Sequence, residues 1–521
     1  MLAQFGFLDG IVFFTYALLI LLSGWWLNRS PVRTSSIDYF KSGTALPIWA
    51  VAISVLATAQ SAATFLGGPD QGFRSDLSYL ATNLSAFIAA LLVSSFLLPR
   101  FYQANVTTVY QLLEKRFSVT AKQHAGWVYL LGRIFASGAR LYMAALAVAM
   151  IIFGNIAPSS IIWSLSLIST VAVIYTLSGG IRSVIYADVV QCVVYVGAAL
   201  CVFIFLWQTL DLDISTLYHT LSVPYQDPIT QVLTPAKLSL MHFSLDFTGT
   251  GVFHFLSLMT GFVLLNVAAF GLDQDMTQRL LTCKSPIAAT KALLSSIVLL
   301  IPIMLLFIGI GFLLYLFYLR PDVWFNEVAA TNIEPHFSGQ TVTVFMYYVL
   351  SEVPAGLKAL VCVGIIAAAL STLNSGLNSM SSVVIEDLLK PHPKFASISA
   401  QRWLYISRLC IVLVAVALSL MAALCYYWQQ HTDTPLLQFA LSVMVFSYSG
   451  LLGVFFVALF TNRGSERSVF WALLIGFIVP VLLQPYVFGV NLGFTWVLCI
   501  GALVSGLVCA LPKPINQCLN Q

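Results

Sequence analysis

The segment AAALSTLNSGLNS, Ala367–Ser379, lies inside a long apolar run. It still places Ser371, Thr372, Asn374, Ser375, Asn378 and Ser379 within nine positions. Ser371, Asn374, Ser375 and Asn378 are spaced i, i+3, i+4, i+7 and so share one face of a helix. Hydrogen-bond glue between helices accounts for one or two such hydroxyls. Six polar groups at one depth ask for something more. Neutral hydroxyls and carbonyls suit a hard monovalent ion that must bind and then leave.

The rest of the chain sets the surroundings of that helix. Of 521 residues, 59% are hydrophobic and 8% charged, and the mean hydropathy is +0.91. A soluble domain has about a quarter of its residues charged, so this composition means an integral membrane protein, and apolar runs long enough to cross as helices make it all-α. The nine cysteines form no CxxC or Cys/His cluster, and most lie in apolar runs where cysteine acts as a small hydrophobe. The first apolar run begins near Leu8 with no basic region before it, so it reads as a first span and not a cleavable signal.

A span needs about 20 apolar residues. Thirteen segments qualify: 8–27, 47–69, 78–99, 124–153, 159–178, 184–208, 250–272, 286–318, 356–385, 401–428, 435–461, 467–486 and 491–511. With the N-terminus outside and the C-terminus inside, eighteen of the 24 Lys and Arg fall in inner loops and four in outer loops. The other two, Arg133 and Arg140, lie within the fourth span. That asymmetry is the one expected of a membrane protein.

Three further stretches carry polarity into the spans. TAQSAATFLGG (58–68) puts Gln60 and Ser61 at the centre of the second span. A helix broken there would free carbonyls able to bind a cation, while small residues packing a neighbour would look similar. LSGGIRSVIYADVVQ (177–191) turns at Gly179–Gly180 and carries Asp188 about two turns into the next span. A carboxylate at that depth is costly and points to function, or to an ion pair with Arg182. GLDQDMTQRLLTCKS (271–285) mixes Asp273, Asp275, Arg279 and Lys284, which suits an inner gate or a solvated face equally. The guanidinium of Arg140, near mid-span, needs an anion or a set of carbonyls. It can grip a carboxylate through two parallel hydrogen bonds. Pairing with an intrinsic acid such as Asp188, or snorkelling into a wet vestibule, is the alternative.

Together these stretches resemble the sodium/solute symporter family, in order and over essentially the whole chain. GGIRSVIYADVVQ is similar to its glycine-pair motif, LDQDMTQRLLTCKS to its DQ…QR…KS motif, and AAALSTLNSGLNSMSSVVIEDL to its serine-rich helix. The resemblance implies a LeuT-like fold of two inverted five-helix repeats, 47–208 and 250–461. Residues 1–46 would hold the first span and its inner loop, 209–249 an outer loop, and 462–521 two last spans with a short tail. Each repeat would open with a broken helix, the first at Thr58–Ser61 and the second near Asn266–Gly271.

Carried over residue by residue, the resemblance implies a sodium site at the Ala57, Gln60 and Ala368 carbonyls and the Ser371 and Thr372 hydroxyls. A second sodium would use Asp188 and Ser375. However, Asn374 and Ala187 depart from the pattern of members that bind two, so one or two ions stays open. Substrate residues would be Thr58, Ser61, Thr64, Asn83, Arg140 and Asn266. Where sugar carriers place larger polar and aromatic residues and a lysine, this chain has Thr64, Asn83, Ala269 and Leu300, and it keeps Asn266. That argues against a neutral hexose.

The implied activity is sodium-coupled import of a small polar solute by alternating access. The solute would be anionic, a monocarboxylate or an acidic sugar such as sialic acid. A symporter for a neutral sugar or a proline-like amino acid is the alternative, followed by a membrane sensor or a channel. No HExxH or paired-acid cluster supports an enzyme, and the seven histidines are scattered. The expected partners are the solute, sodium and the lipid bilayer, without nucleic acid or an obligate protein partner. The expected location is a bacterial inner membrane.

Overall fold

The computed structural model describes residues 6–28, 40, 45–226, 231, 233–324, 336–337, 340–341, 343–395, 397–429 and 436–511. The basic loop residues Arg29, Arg33, Lys41 and Lys513 lie outside the described residues. Among the described residues the fold is almost wholly helical, with two small antiparallel strand pairs, Tyr225–Gln226 with Leu233–Thr234 and His336–Phe337 with Gln340–Thr341.

The principal helices are α1 (Phe7–Asn28), α2 (Ile48–Ala59), α3 (Ala62–Arg74), α4 (Leu77–Ala104), α5 (Val119–Phe153), α6 (Pro158–Leu177) and α7 (Gly180–Leu210). They continue as α8 (Phe255–Leu272), α9 (Gln274–Leu280), α10 (Pro286–Leu319), α11 (Leu357–Leu389) and α12 (Ala400–Gln429). The last three are α13 (Leu436–Phe460), α14 (Glu466–Leu482) and α15 (Phe494–Ala510). Helices cover all thirteen apolar segments. Among the described residues, nine helices are long and apolar enough to cross a bilayer singly, or ten if the bent α2–α3 pair is one span.

Two breaks organise the interior. Between α2 and α3 the axis bends by 66°, with Gln60 (φ −85°, ψ 135°) and Ser61 (φ −139°, ψ 174°) extended. This is the break expected from the polar centre of that segment. The second break falls at Asp273 (φ −83°, ψ 118°), just beyond the expected Asn266–Gly271. The expected stretch stays coiled because Ala268–Leu272 widens into a π-turn, which takes up the strain without opening the chain. Asp273 then starts α9 by accepting from the Asp275 N–H at 2.9 Å, an ordinary N-cap.

α3 and α10 approach so closely that only glycine fits at their crossing. A Cβ on Gly72 would sit 2.4 Å from the Ile308 carbonyl oxygen, and one on Gly311 would sit 2.2 Å from that of Pro69. α11 runs through the middle of the bundle, packed on α6 and α7 and on α5. From Ala367 to Val383 every residue of it is buried. Its hydroxyls and amides therefore face protein, where each needs a partner. Gly180, with φ +62°, makes the turn between α6 and α7.

Candidate functional site

The hydroxyl of Thr372 marks where α11 meets the α2–α3 break. It lies 3.3 Å from the Gln60 carbonyl oxygen and 3.2 Å from that of Ala368. The last carbonyls of a helix have no intrahelical partner, and α2 ends at Ala59, so the Ala57 carbonyl belongs to the last turn before the break. Ser371, beside Thr372, donates to Asp188 Oδ1 at 2.7 Å. Of the five residues matched to the principal sodium site, Gln60, Ala368 and Thr372 meet at this hydroxyl, Ser371 turns to Asp188 beside it, and Ala57 lies in the last turn of α2 before the break.

Asp188 is fully buried and held on both oxygens. Ser54 donates to Oδ2 at 2.5 Å and Arg279 Nη2 donates to the same oxygen at 3.1 Å. Its ion-pair partner is thus Arg279, and neither Arg182 nor Arg140. Arg279 also donates to Ser54 Oγ (2.8 Å), the Asp275 carbonyl (2.6 Å) and Asp275 Oδ1 (2.9 Å). Arg133 continues the chain. It donates to Asp273 Oδ2 at 2.8 Å and to Asp275 Oδ2, and Tyr448 OH donates to Asp273 Oδ2 at 2.6 Å. Ser375 donates to Asp275 Oδ2 at 3.2 Å.

Asp273, Asp275 and Arg279 are all buried, so that stretch is an interior ion network and not a solvated face. Lys284 stays exposed, outside the cluster. A buried charge survives only when paired and hydrogen-bonded. The charges pair with one another, and only Arg133 Nε among these guanidinium and carboxylate atoms has no hydrogen-bond partner in the described residues.

Above the network is a cavity of about 140 Å³. Thr64, Asn83, Arg140 and Asn266 all line it, as do Ala269 and Leu300. Arg133, Asp273 and Tyr448 form its floor. A second cavity of about 10 Å³ joins Ser61, Ser137 and Arg140 to Thr372, so Arg140 sits between the larger cavity and α11. Thr58 lines neither cavity. Its hydroxyl turns back to the Ser54 carbonyl at 2.8 Å, a local bond that a helical threonine makes readily.

The polar groups on the larger cavity are poorly matched by protein. Among the described residues, the hydrogen-bond acceptor for the Arg140 guanidinium is the Met444 thioether at 3.1 Å, and it has no ion pair. Asn83 donates to the Leu80 carbonyl and to Met304 Sδ, while its Oδ1 has no partner. Gln60 Oε1 has none either. A site with a free cationic fork and two orphan acceptors can receive a solute that carries both an anion and hydrogen-bond donors.

Sequence reasoning did not single out Arg133, Tyr448, Met304, Met444 or Ser54. Arg133 had a visible signal, since it precedes Arg140 by seven residues and so shares its helix face. The methionines carried none.

The model of the "SSF: Sodium:solute symporter family" matches residues 39–476. The sodium/sialic acid symporter SiaT of Proteus mirabilis is 27% identical, covering 99% of this chain and 96% of its own. The sodium/sialic acid symporter NanT of Aliivibrio fischeri is 27% identical over 98% of this chain and 94% of its own. Among solved structures, a substrate-bound outward-open Na+-coupled sialic acid symporter superposes with a TM-score of 0.78 at 26% identity, over 97% of this chain and 98% of that one. This likeness makes the fold LeuT-like.

Proposed function

The chain belongs to the sodium:solute symporter family and is a sodium-coupled symporter, not an enzyme; from that premise we propose that its solute is an acidic sugar whose carboxylate is received by Arg140. One contrast carries the proposal. Of the three arginines in this interior, Arg133 and Arg279 are paired with aspartates, whereas Arg140 faces the cavity with only a thioether. An arginine left without an anion at this depth is expensive, and a carboxylate suits its fork. The orphan Gln60 and Asn83 oxygens favour a solute with hydroxyls to donate. The relatives named for sialic acid support the same class.

A second reading has its own observation. The cavity of about 140 Å³ is well below the roughly 300 Å³ lower bound of ordinary ligand pockets, which favours a short hydroxylated monocarboxylate. A thermal-shift series on the purified protein separates the two, because a ligand of the folded state raises its melting temperature. Acidic sugars, short hydroxy acids and neutral hexoses are each tested with and without sodium. A sodium-dependent shift with a neutral hexose alone would remove the carboxylate.

Sodium binds at Ala57, Gln60, Ala368, Ser371 and Thr372 in this proposal. The basic loops support an N-terminus outside and a C-terminus inside, with thirteen crossings of a bacterial inner membrane. Repeats over 47–208 and 250–461 each open with a broken helix, at Gln60–Ser61 and at Asp273. The Arg133–Asp273–Asp275 floor then closes the cytoplasmic side of the cavity. Inward release requires those ion pairs to part.

A further inference from the structure

A groove of about 590 Å³ runs along the outside of the bundle between α4, α8, α13 and α15. It shares no lining residue with the solute cavity. Its walls include Phe96, Val267, Phe456, Phe460, Leu503 and Leu507, and Phe456, Leu503 and Leu507 are each about 60% exposed. In a membrane protein such an open carbon surface faces hydrocarbon. One end of the groove is charged. Thr461, a lining residue, accepts through its carbonyl from Arg116 Nη2 at 3.3 Å. Phe96 accepts through its carbonyl from Arg100 Nη1 at 2.8 Å, and the Phe96 ring meets that of Phe460 at 5.3 Å. Among the described residues neither arginine pairs with a carboxylate. Both guanidiniums are thus anchored at the groove mouth with N–H groups to spare.

We propose that this groove holds an acyl chain of an anionic phospholipid whose phosphate meets Arg100 and Arg116. The apolar length excludes a free phosphate as the natural occupant. The two arginines favour an anionic over a zwitterionic headgroup, as basic pockets between membrane helices do. The groove walls are the backs of helices that line the solute cavity: α4 with Asn83, α8 with Asn266, and α13 with Met444 and Tyr448. A lodged chain would therefore brace the helices that must shift during transport.

Native mass spectrometry of the detergent-solubilised protein tests this with phosphatidylglycerol and phosphatidylcholine as probes. A juxtamembrane arginine favours an anionic lipid by about fivefold, so the wild type should retain phosphatidylglycerol about thirty-fold over phosphatidylcholine. Arg100→Gln with Arg116→Gln should retain the two equally. Leu503→Trp, which fills the groove from its lipid-exposed wall, should retain neither. Equal retention of the two lipids by the wild type overturns the proposal without recourse to any variant. So does undiminished phosphatidylglycerol retention by Leu503→Trp.

Discussion

Ser371 and Asp188, 183 positions apart in sequence, are joined by a buried hydrogen bond of 2.7 Å. A hydroxyl has one proton to donate and two lone pairs to offer. By taking the proton, Asp188 leaves the Ser371 oxygen free to face a cation. Asp188 acts on the proposed sodium cage through this bond, and Arg279 and Ser54 fix its other oxygen. The proposed cage is thereby wired to the floor of the proposed solute cavity through Asp275 and Arg133.

Loss of both hydroxyls at Ser371 and Thr372 should abolish sodium-stimulated uptake into proteoliposomes. Ser371→Ala alone should weaken apparent sodium affinity about ten- to hundredfold, since a bond to a charged group is worth about 1.5–3 kcal/mol. Wild-type sodium dependence in the double variant would rule out this cage.

Arg140→Lys keeps the charge but loses the planar fork. Solute binding should weaken by about 1–3 kcal/mol, and Arg140→Gln should cost more. Isothermal titration with the ligand found by thermal shift provides the measurement. A neutral hexose bound equally by wild type and Arg140→Gln would leave Arg140 with a structural role.

How much of this was legible in the sequence depended on what each residue type can hide. The hydroxyl-rich face of α11 stands out because its surroundings are apolar, and Arg140 stands out for the same reason. The break at Gln60–Ser61 follows from polarity where a span should be greasy. The 271–285 stretch was ambiguous, because charges at the end of a span look alike whether they meet water or one another. Only the folding of α5 and α11 over Asp273, Asp275 and Arg279 decides it. Thr58 misled for a local reason: its hydroxyl is satisfied by its own helix. The second break lay beyond the expected residues because a π-turn leaves no mark in composition.

The Arg133–Asp273 pair should show strong energetic coupling. Arg133→Gln removes one partner of a buried pair, a loss of about 3–5 kcal/mol. Adding Asp273→Asn should restore part of it, because no unpaired carboxylate then remains. A double-mutant cycle of thermal stability measures the interaction. Additive losses would mean that the two side chains do not interact.

Lys237, in the 209–249 connection, clamps the end of α3 by donating to the Phe73 and Ser75 carbonyls at 2.7 and 2.9 Å. Burial pushes its amine down to about 8, against an ordinary value of about 10.4. Between these two values the unfolded chain carries a proton that the folded chain has lost, so stability should rise with pH across that window. Below about 8 both states are charged, and the desolvation cost is felt in full. Lys237→Met should flatten the rise in melting temperature between pH 8 and 10.5. An unchanged slope in that variant would assign the effect to another group.

The final prediction concerns how much charge moves per cycle. The three interior arginines, Arg133, Arg140 and Arg279, balance the three aspartates, Asp188, Asp273 and Asp275. One sodium and one carboxylate would enter as a neutral pair, whereas a second sodium would leave an uncompensated charge where the dielectric is low. The groups a second ion needs are also engaged. Both Asp188 oxygens accept hydrogen bonds, the one Ser375 hydroxyl proton has the Thr372 carbonyl at 2.9 Å and Asp275 Oδ2 at 3.2 Å as acceptors, and Asn374 accepts from Thr176 at 3.2 Å. We therefore expect one sodium per carboxylate and electroneutral transport. A potassium diffusion potential set with valinomycin tests it. An inside-negative potential of about 100 mV is worth about 2.3 kcal/mol per net charge, or roughly fifty-fold in accumulation. Uptake of the monoanionic solute should not respond to that potential. A response approaching fifty-fold would establish a second sodium and require Arg279 to release Asp188 when it binds.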